Sequence, residues 1–79
     1  MGNVLDSVIV GRVIQRVREE KKQSQELVSG LAGIGRTHLS AIERGERKPT
    51  LETFYRIAWA MGMKPSALLM AIESENEGD

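Results

Sequence analysis

Residues 24–49, SQELVSGLAGIGRTHLSAIERGERKP, carry two short apolar stripes at helical spacing, with a glycine between them. Ser24 is placed to cap the first helix, its hydroxyl accepting from the free N–H groups of the first turn. Val28, Leu31 and Ala32 then form one apolar face. Gly33 follows where a left-handed residue ends a helix, and Ile34 is placed to plug the angle beyond it. A second helix is predicted over residues 36–44, burying Leu39 and Ile42. Gly45 ends it, and residues 46–49 read as a polar loop. Helices this short bury too little to stand alone, so the flanking segments must supply a scaffold.

Those segments read as three more helices. Residues 7–22 place Val10, Val13, Ile14 and Val17 on one face, with Arg12, Arg16, Glu19 and Glu20 elsewhere. Asp6 or Ser7 is placed to cap this helix. The residues before them read as a loose start, with an arm packed on a second subunit as the alternative. Thr50 caps a fourth helix, after Pro49 blocks continuation from the loop. Leu51, Phe54, Ile57, Ala58 and Met61 form its inward stripe, while Glu52, Arg56 and Trp59 face outward. A fifth helix starts at Lys64, Pro65 and Ser66 and reaches about Ile72. It is apolar on nearly every face, where a surface helix of a monomer should keep one polar side. Leu68, Leu69 and Ile72, with Trp59, are therefore expected at a homodimer interface. The domain is expected to span residues 1–72, and residues 73–79 have the composition of a flexible acidic tail.

The central stretch resembles the helix-turn-helix of the phage-repressor and Cro family, also called the xenobiotic-response-element family. The likeness rests on Ser24, Gln25 and Glu26; Ala32, Gly33 and Ile34; Arg36 and Thr37; Leu39 and Ser40; Ile42 and Glu43; then Gly45 and Pro49. It continues through Leu51, Glu52, Thr53, Ile57, Ala58, Ala60, Met61 and Gly62 to Leu68 and Leu69, and covers about residues 10–69. It implies an all-α, five-helix, lambda-repressor-like DNA-binding domain with the helix-turn-helix at helices 2 and 3. Three positions depart from the pattern. Lys22 and Gln23 stand where the family commonly has Gly and Leu, and Gly35 where it has Ser or Thr. Gly30 inside the second helix is a further oddity, costing up to about 1 kcal/mol against Ala. Either Gly30 or Gly35 could admit another backbone.

The formal net charge is zero, which taken alone argues against a nucleic-acid partner. The distribution reverses this. Residues 1–72 hold all eleven Lys and Arg against seven acids, a net +4. Arg12, Arg16, Lys21, Lys22, Arg36, Arg44, Arg47 and Lys48 would form a basic face opposite the acidic tail. With no cysteine and one histidine, neither a disulfide framework nor a usual structural zinc site is expected. No cofactor is implied. No apolar run approaches the about 20 residues needed to span a bilayer, no signal-peptide pattern is present, and a cytoplasmic location is expected.

DNA reading needs side chains at the exposed start of a helix that fits the major groove. By the resemblance, Arg36, Thr37 and Ala41 match positions that reach base edges, and Ser40 lies close to that face. Arg36 is also a cation at a helix N-terminus, where it opposes the macrodipole and calls for a compensating partner. The resemblance gives Gln25 a phosphate contact, while Arg44, Arg47 and Lys48 lie where the sugar-phosphate chain would pass. Ordinary solubility is the alternative for each loop charge. The resemblance also pairs Arg18 with Glu43, tying the first helix to the third.

Together these residues imply a sequence-specific double-stranded-DNA-binding regulator, of repressor or restriction-modification controller type. It would act as a homodimer on a near-palindromic operator. Two other classes compete: an antitoxin that neutralises a protein toxin and represses its own operon, and an interaction module that has lost DNA binding. Tyr55 and Trp59 could stack on single-stranded nucleic acid, but they lie away from the recognition helix. No Ser-His-Asp grouping or phosphate-cradling loop points to an enzyme.

Overall fold

The computed structural model describes residues 4–77. All regular structure among them is helical: α1 (Ser7–Glu20), α2 (Gln25–Ala32), α3 (Arg36–Glu43), α4 (Leu51–Ala60) and α5 (Pro65–Glu77). Three starts are capped by side chains. Asp6 accepts from the Val8 N–H at 2.8 Å, Ser24 Oγ from Leu27 at 3.0 Å and Thr50 Oγ1 from Thr53 at 3.1 Å. Gly35 begins α3 with no side-chain cap. Gly33 ends α2 in the left-handed region, at φ 72°, and the Ile34 N–H returns to the Ser29 carbonyl.

The scaffold follows from which faces are apolar. α1 packs on α3 and α5, α2 on α3 and α4, and α4 on α5. The shared core contains Val10, Val13, Ile14, Val17, Val28, Leu39, Ile42, Ile57, Met61, Leu68 and Ile72. Leu5, Ile9, Ile34, Phe54 and Met63 pack against it, each half-buried. Leu5, in the stretch read as a loose start or an arm, thus packs against the core of its own chain. The first three residues of that arm lie outside the described residues.

Gly11 sets how closely α1 and α3 approach. A Cβ there would stand 2.2 Å from the Ile42 carbonyl oxygen and 2.6 Å from that of Glu43. Only glycine lets the end of α3 lie against this turn of α1. A Cβ added at Gly30 or Gly35 would meet no atom within 4 Å, so no other backbone of this chain closes on either glycine among the described residues.

Several inward assignments are corrected. Leu31 is exposed, because α2 turns Val28 and Ala32, one helical step away, into the core. Leu51 is also exposed, being the first residue of α4 and beyond the reach of the core stripe. Leu68 and Ile72 are fully buried within the domain, so they are unavailable to a partner subunit.

The expected flexible tail is helix as far as Glu77. Glu75 pairs with Arg16, and the side chain of Asn76 accepts from the Asp6 N–H at 3.1 Å and donates to the Val4 carbonyl at 3.2 Å. These bonds tie α5 to the start of the chain. Residues 78 and 79 lie outside the described residues.

The α1–α2 junction carries the cost of its unusual residues. Lys22 adopts φ 57°, a conformation costing a non-glycine residue roughly 1–2 kcal/mol. The buried Gln23 Oε1 has no hydrogen-bond partner among the described residues. Lys22→Gly is expected to relieve the strain, partly offset by the freer unfolded chain. The net gain is about 1 kcal/mol, or a rise of about 4–8 °C in Tm for a domain of this size. A lower Tm in thermal unfolding would refute this account of the junction.

Candidate nucleic-acid interface

The start of α3 faces solvent because its buried residues, Leu39 and Ile42, lie on the opposite side. Arg36 and Thr37 are exposed in the first turn, while His38 and Ser40 are half-buried. Ser40 Oγ accepts from the Arg44 guanidinium one turn later. Ala41 departs from its expected place at the base edge. It is only 8 % exposed, and its carbonyl accepts the Glu46 N–H as the chain folds back after α3. That leaves little of its methyl for a base to touch.

Behind this surface, four segments meet around the Arg18–Glu43 pair. Arg18 donates from Nε to Glu43 Oε2 at 2.7 Å and from Nη2 to Oε1 at 3.0 Å. Its Nη1 donates to the Gln23 carbonyl at 2.8 Å. Gln25 Nε2 adds a bond to Glu43 Oε1 at 2.9 Å. The Glu43 side chain is 2 % exposed. The Glu43 hydrogen bond raises the Arg18 pKa above its ordinary value, against the opposing effect of burial. α1, the α1–α2 linker, α2 and the last residue of α3 are thus held at one point.

The expected phosphate contacts are engaged differently. Gln25 turns inward, onto Glu43. Arg44 makes a two-bond pair with Glu46, at 2.9 and 3.0 Å. That contact raises the Arg44 pKa and lowers that of Glu46. Lys48 Nζ donates to the Leu5 carbonyl at 2.6 Å. Arg47 is exposed with no ion pair among the described residues. Sequence reasoning missed Glu46 as a competitor for Arg44. Its signal was an acid two residues past the helix-ending arginine.

The residues expected at a dimer interface separate. Trp59 lies with Leu31, Ala32 and Tyr55 in a groove between α2 and α4, where the two rings meet edge to face at 6.3 Å. Leu69 lies in an apolar hollow of about 280 Å³ with Leu5, Pro49, Leu51 and Phe54. Among the described residues no cluster of His, Cys, Asp or Glu is placed to hold a metal. None of their helices is long and apolar enough to cross a membrane.

Comparisons with known proteins bear on this geometry. An uncharacterised HTH-type transcriptional regulator of Sinorhizobium fredii, y4dJ, is 42 % identical over 55 residues, covering 70 % of this chain and 71 % of the relative. The crystal structure of the restriction-modification controller protein C.AhdI from Aeromonas hydrophila is 31 % identical. The match covers 82 % of this chain and 98 % of that one, with a TM-score of 0.77. The controller protein C.Esp1396I, solved as a tetramer with its natural 35-base-pair operator, is 25 % identical. There the match covers 92 % of this chain and 96 % of the other, with a TM-score of 0.83. The family model described as helix-turn-helix matches residues 14–68, most of the five-helix scaffold and all of α2 and α3, and the chain belongs to that family.

Proposed function

We propose that the protein is a sequence-specific regulator of transcription that binds double-stranded DNA as a homodimer. The observation that carries this reading is the exposed pair Arg36 and Thr37 on the first turn of α3, a helix braced from behind by Arg18 and Glu43. Arg36 is suited to bind guanine O6 and N7 bidentately, and Thr37 to meet a thymine methyl. Ser40 flanks them. Arg47 provides a ready phosphate contact, while Arg44 and Lys48 serve once phosphate replaces Glu46 and the Leu5 carbonyl. Two such helices would enter successive major grooves about 34 Å apart. Within the repressor-or-controller reading, the relatives' descriptions support a restriction-modification controller, and they give no support to a toxin-neutralising role. The protein acts in the cytoplasm, where its DNA would be, and has no enzymatic activity in this reading.

Selection of bound duplexes from a random pool, followed by titration at two salt concentrations, tests it. A palindromic winner with a steep salt dependence is expected. Arg36→Ala should weaken the winner by about 5- to 150-fold, the equivalent of about 1–3 kcal/mol, and erase preference for one G in each half-site. An equal loss on every sequence would make Arg36 a phosphate contact. Absence of any enriched duplex would overturn the reading.

A further inference from the structure

Gln25 and Glu43 occupy the two ends of the helix-turn-helix farthest from its turn. The chain runs along α2 from Gln25, reverses through residues 33–35, and runs along α3 to Glu43. The turn joins the helices covalently at one end. The 2.9 Å bond from Gln25 Nε2 to Glu43 Oε1 joins them at the other. A carboxylate only accepts, so the amide must present its nitrogen to Glu43. The side chain is half-buried and one of its two N–H donors is held by a charged group, which makes that bond stronger than one between neutral partners.

We infer that Gln25 is a positioning residue for sequence recognition, acting through Glu43 rather than through a phosphate. The inference rests on the DNA-binding reading above. With each eight-residue helix about 12 Å long, a bond at the open end has the full length of the helix as its lever on the angle between them. Arg18 holds Glu43 to α1, and Gln25 alone among the side chains bonded to Glu43 belongs to α2. Removing its amide leaves the Arg18–Glu43 pair in place, so the domain stays folded while α3 loses its alignment to α2. Arg36 and Thr37, at the other end of α3, then meet base edges with a wider spread of orientations. Base contacts demand that alignment, whereas phosphate contacts mainly fix register.

The test compares wild type with Gln25→Ala on the selected duplex and on a random duplex, each over a range of salt. For the variant, binding to the selected duplex is expected to fall about tenfold, a loss within the range of one base contact. Binding to random duplex should stay within about twofold, and the salt slope should be unchanged. Equal losses on both duplexes would show a phosphate contact and overturn the inference; the slope would stay unchanged in that case too, because a neutral amide displaces no counterion. Unchanged binding to both would overturn it too. Thermal unfolding establishes that the variant is folded at the assay temperature. Gln25→Met, which keeps the length without a donor, takes its place if Gln25→Ala is not. A wild-type protein that fails to distinguish the two duplexes would instead defeat the DNA-binding reading itself.

Discussion

Arg18→Ala is expected to lower the stability of the domain by about 3–5 kcal/mol. A domain of this length has roughly 4–12 kcal/mol in all, so the variant stands near the edge of folding. The loss comes less from the attraction removed than from the charge left behind. Glu43 has a side chain 2 % exposed and, without Arg18, only Gln25 to donate to it. The Gln23 carbonyl also loses its donor. The double variant Arg18→Met, Glu43→Leu removes both charges and should regain most of the stability, since replacing a buried pair by apolar groups is often neutral or stabilising. Urea unfolding followed by circular dichroism measures both. A loss under about 1 kcal/mol in the single variant would mean that the pair behaves as an exposed one. The double variant should still bind DNA poorly, because nothing would then fix the end of α3 to Gln25.

What the sequence discloses about this fold is what local chemistry decides. Ser24 and Thr50 cap helices with their own hydroxyls, and Gly33 takes its positive φ where a helix must stop. The exposure of Arg36 and Thr37 is legible for the same reason: they open a helix whose buried face is set by Leu39 and Ile42. The readings that fail depend on partners far along the chain. α5 continues to Glu77 because Arg16, Val4 and Asp6 receive its last turns. Composition shows only an acidic run there. In the same helix, Leu68 and Leu69 are equally apolar neighbours, and only the placement of α1 and α4 decides that Leu68 is core and Leu69 is not. Gly11 is silent in the sequence, since nothing near it along the chain requires glycine, whereas Gly30 and Gly35 stand out there and have open space around them. At the site, the resemblance locates Gln25 and Arg44 but does not tell which groups they hold. Gln25 meets a residue 18 positions away, and Arg44 is drawn off by Glu46, whose pull depends on how the loop folds.

Leu51→Glu is expected to turn the homodimer into a monomer and to weaken binding to the palindromic operator by about 10²- to 10⁴-fold. This is the range by which linking two binding modules raises their joint strength. Leu51 is 84 % exposed at the rim of the hollow formed by Leu5, Pro49, Phe54 and Leu69. A two-fold axis through this region would place Leu51 of each subunit over the hollow of the other, a self-complementary contact of the kind such symmetry requires. Here the unsatisfied apolar surface of α5 resides in Leu69 and Met70, since Leu68 and Ile72 are spent in the core. A carboxylate at position 51 would be driven into that hollow on pairing and would cost the dimer far more than the fold. An exposed substitution of this kind changes monomer stability by no more than about 0.5 kcal/mol. Sedimentation at micromolar concentration should therefore show a folded monomer. Its affinity for an isolated half-site should match that of one wild-type subunit, because Arg36 and Thr37 are untouched. Trp59→Ala is the control, since Trp59 lies in the separate groove between α2 and α4. If Trp59→Ala dissociated the dimer and Leu51→Glu did not, the interface would belong to α2 and α4. The two recognition helices would then be held in a different relation, and the operator spacing would have to change with it.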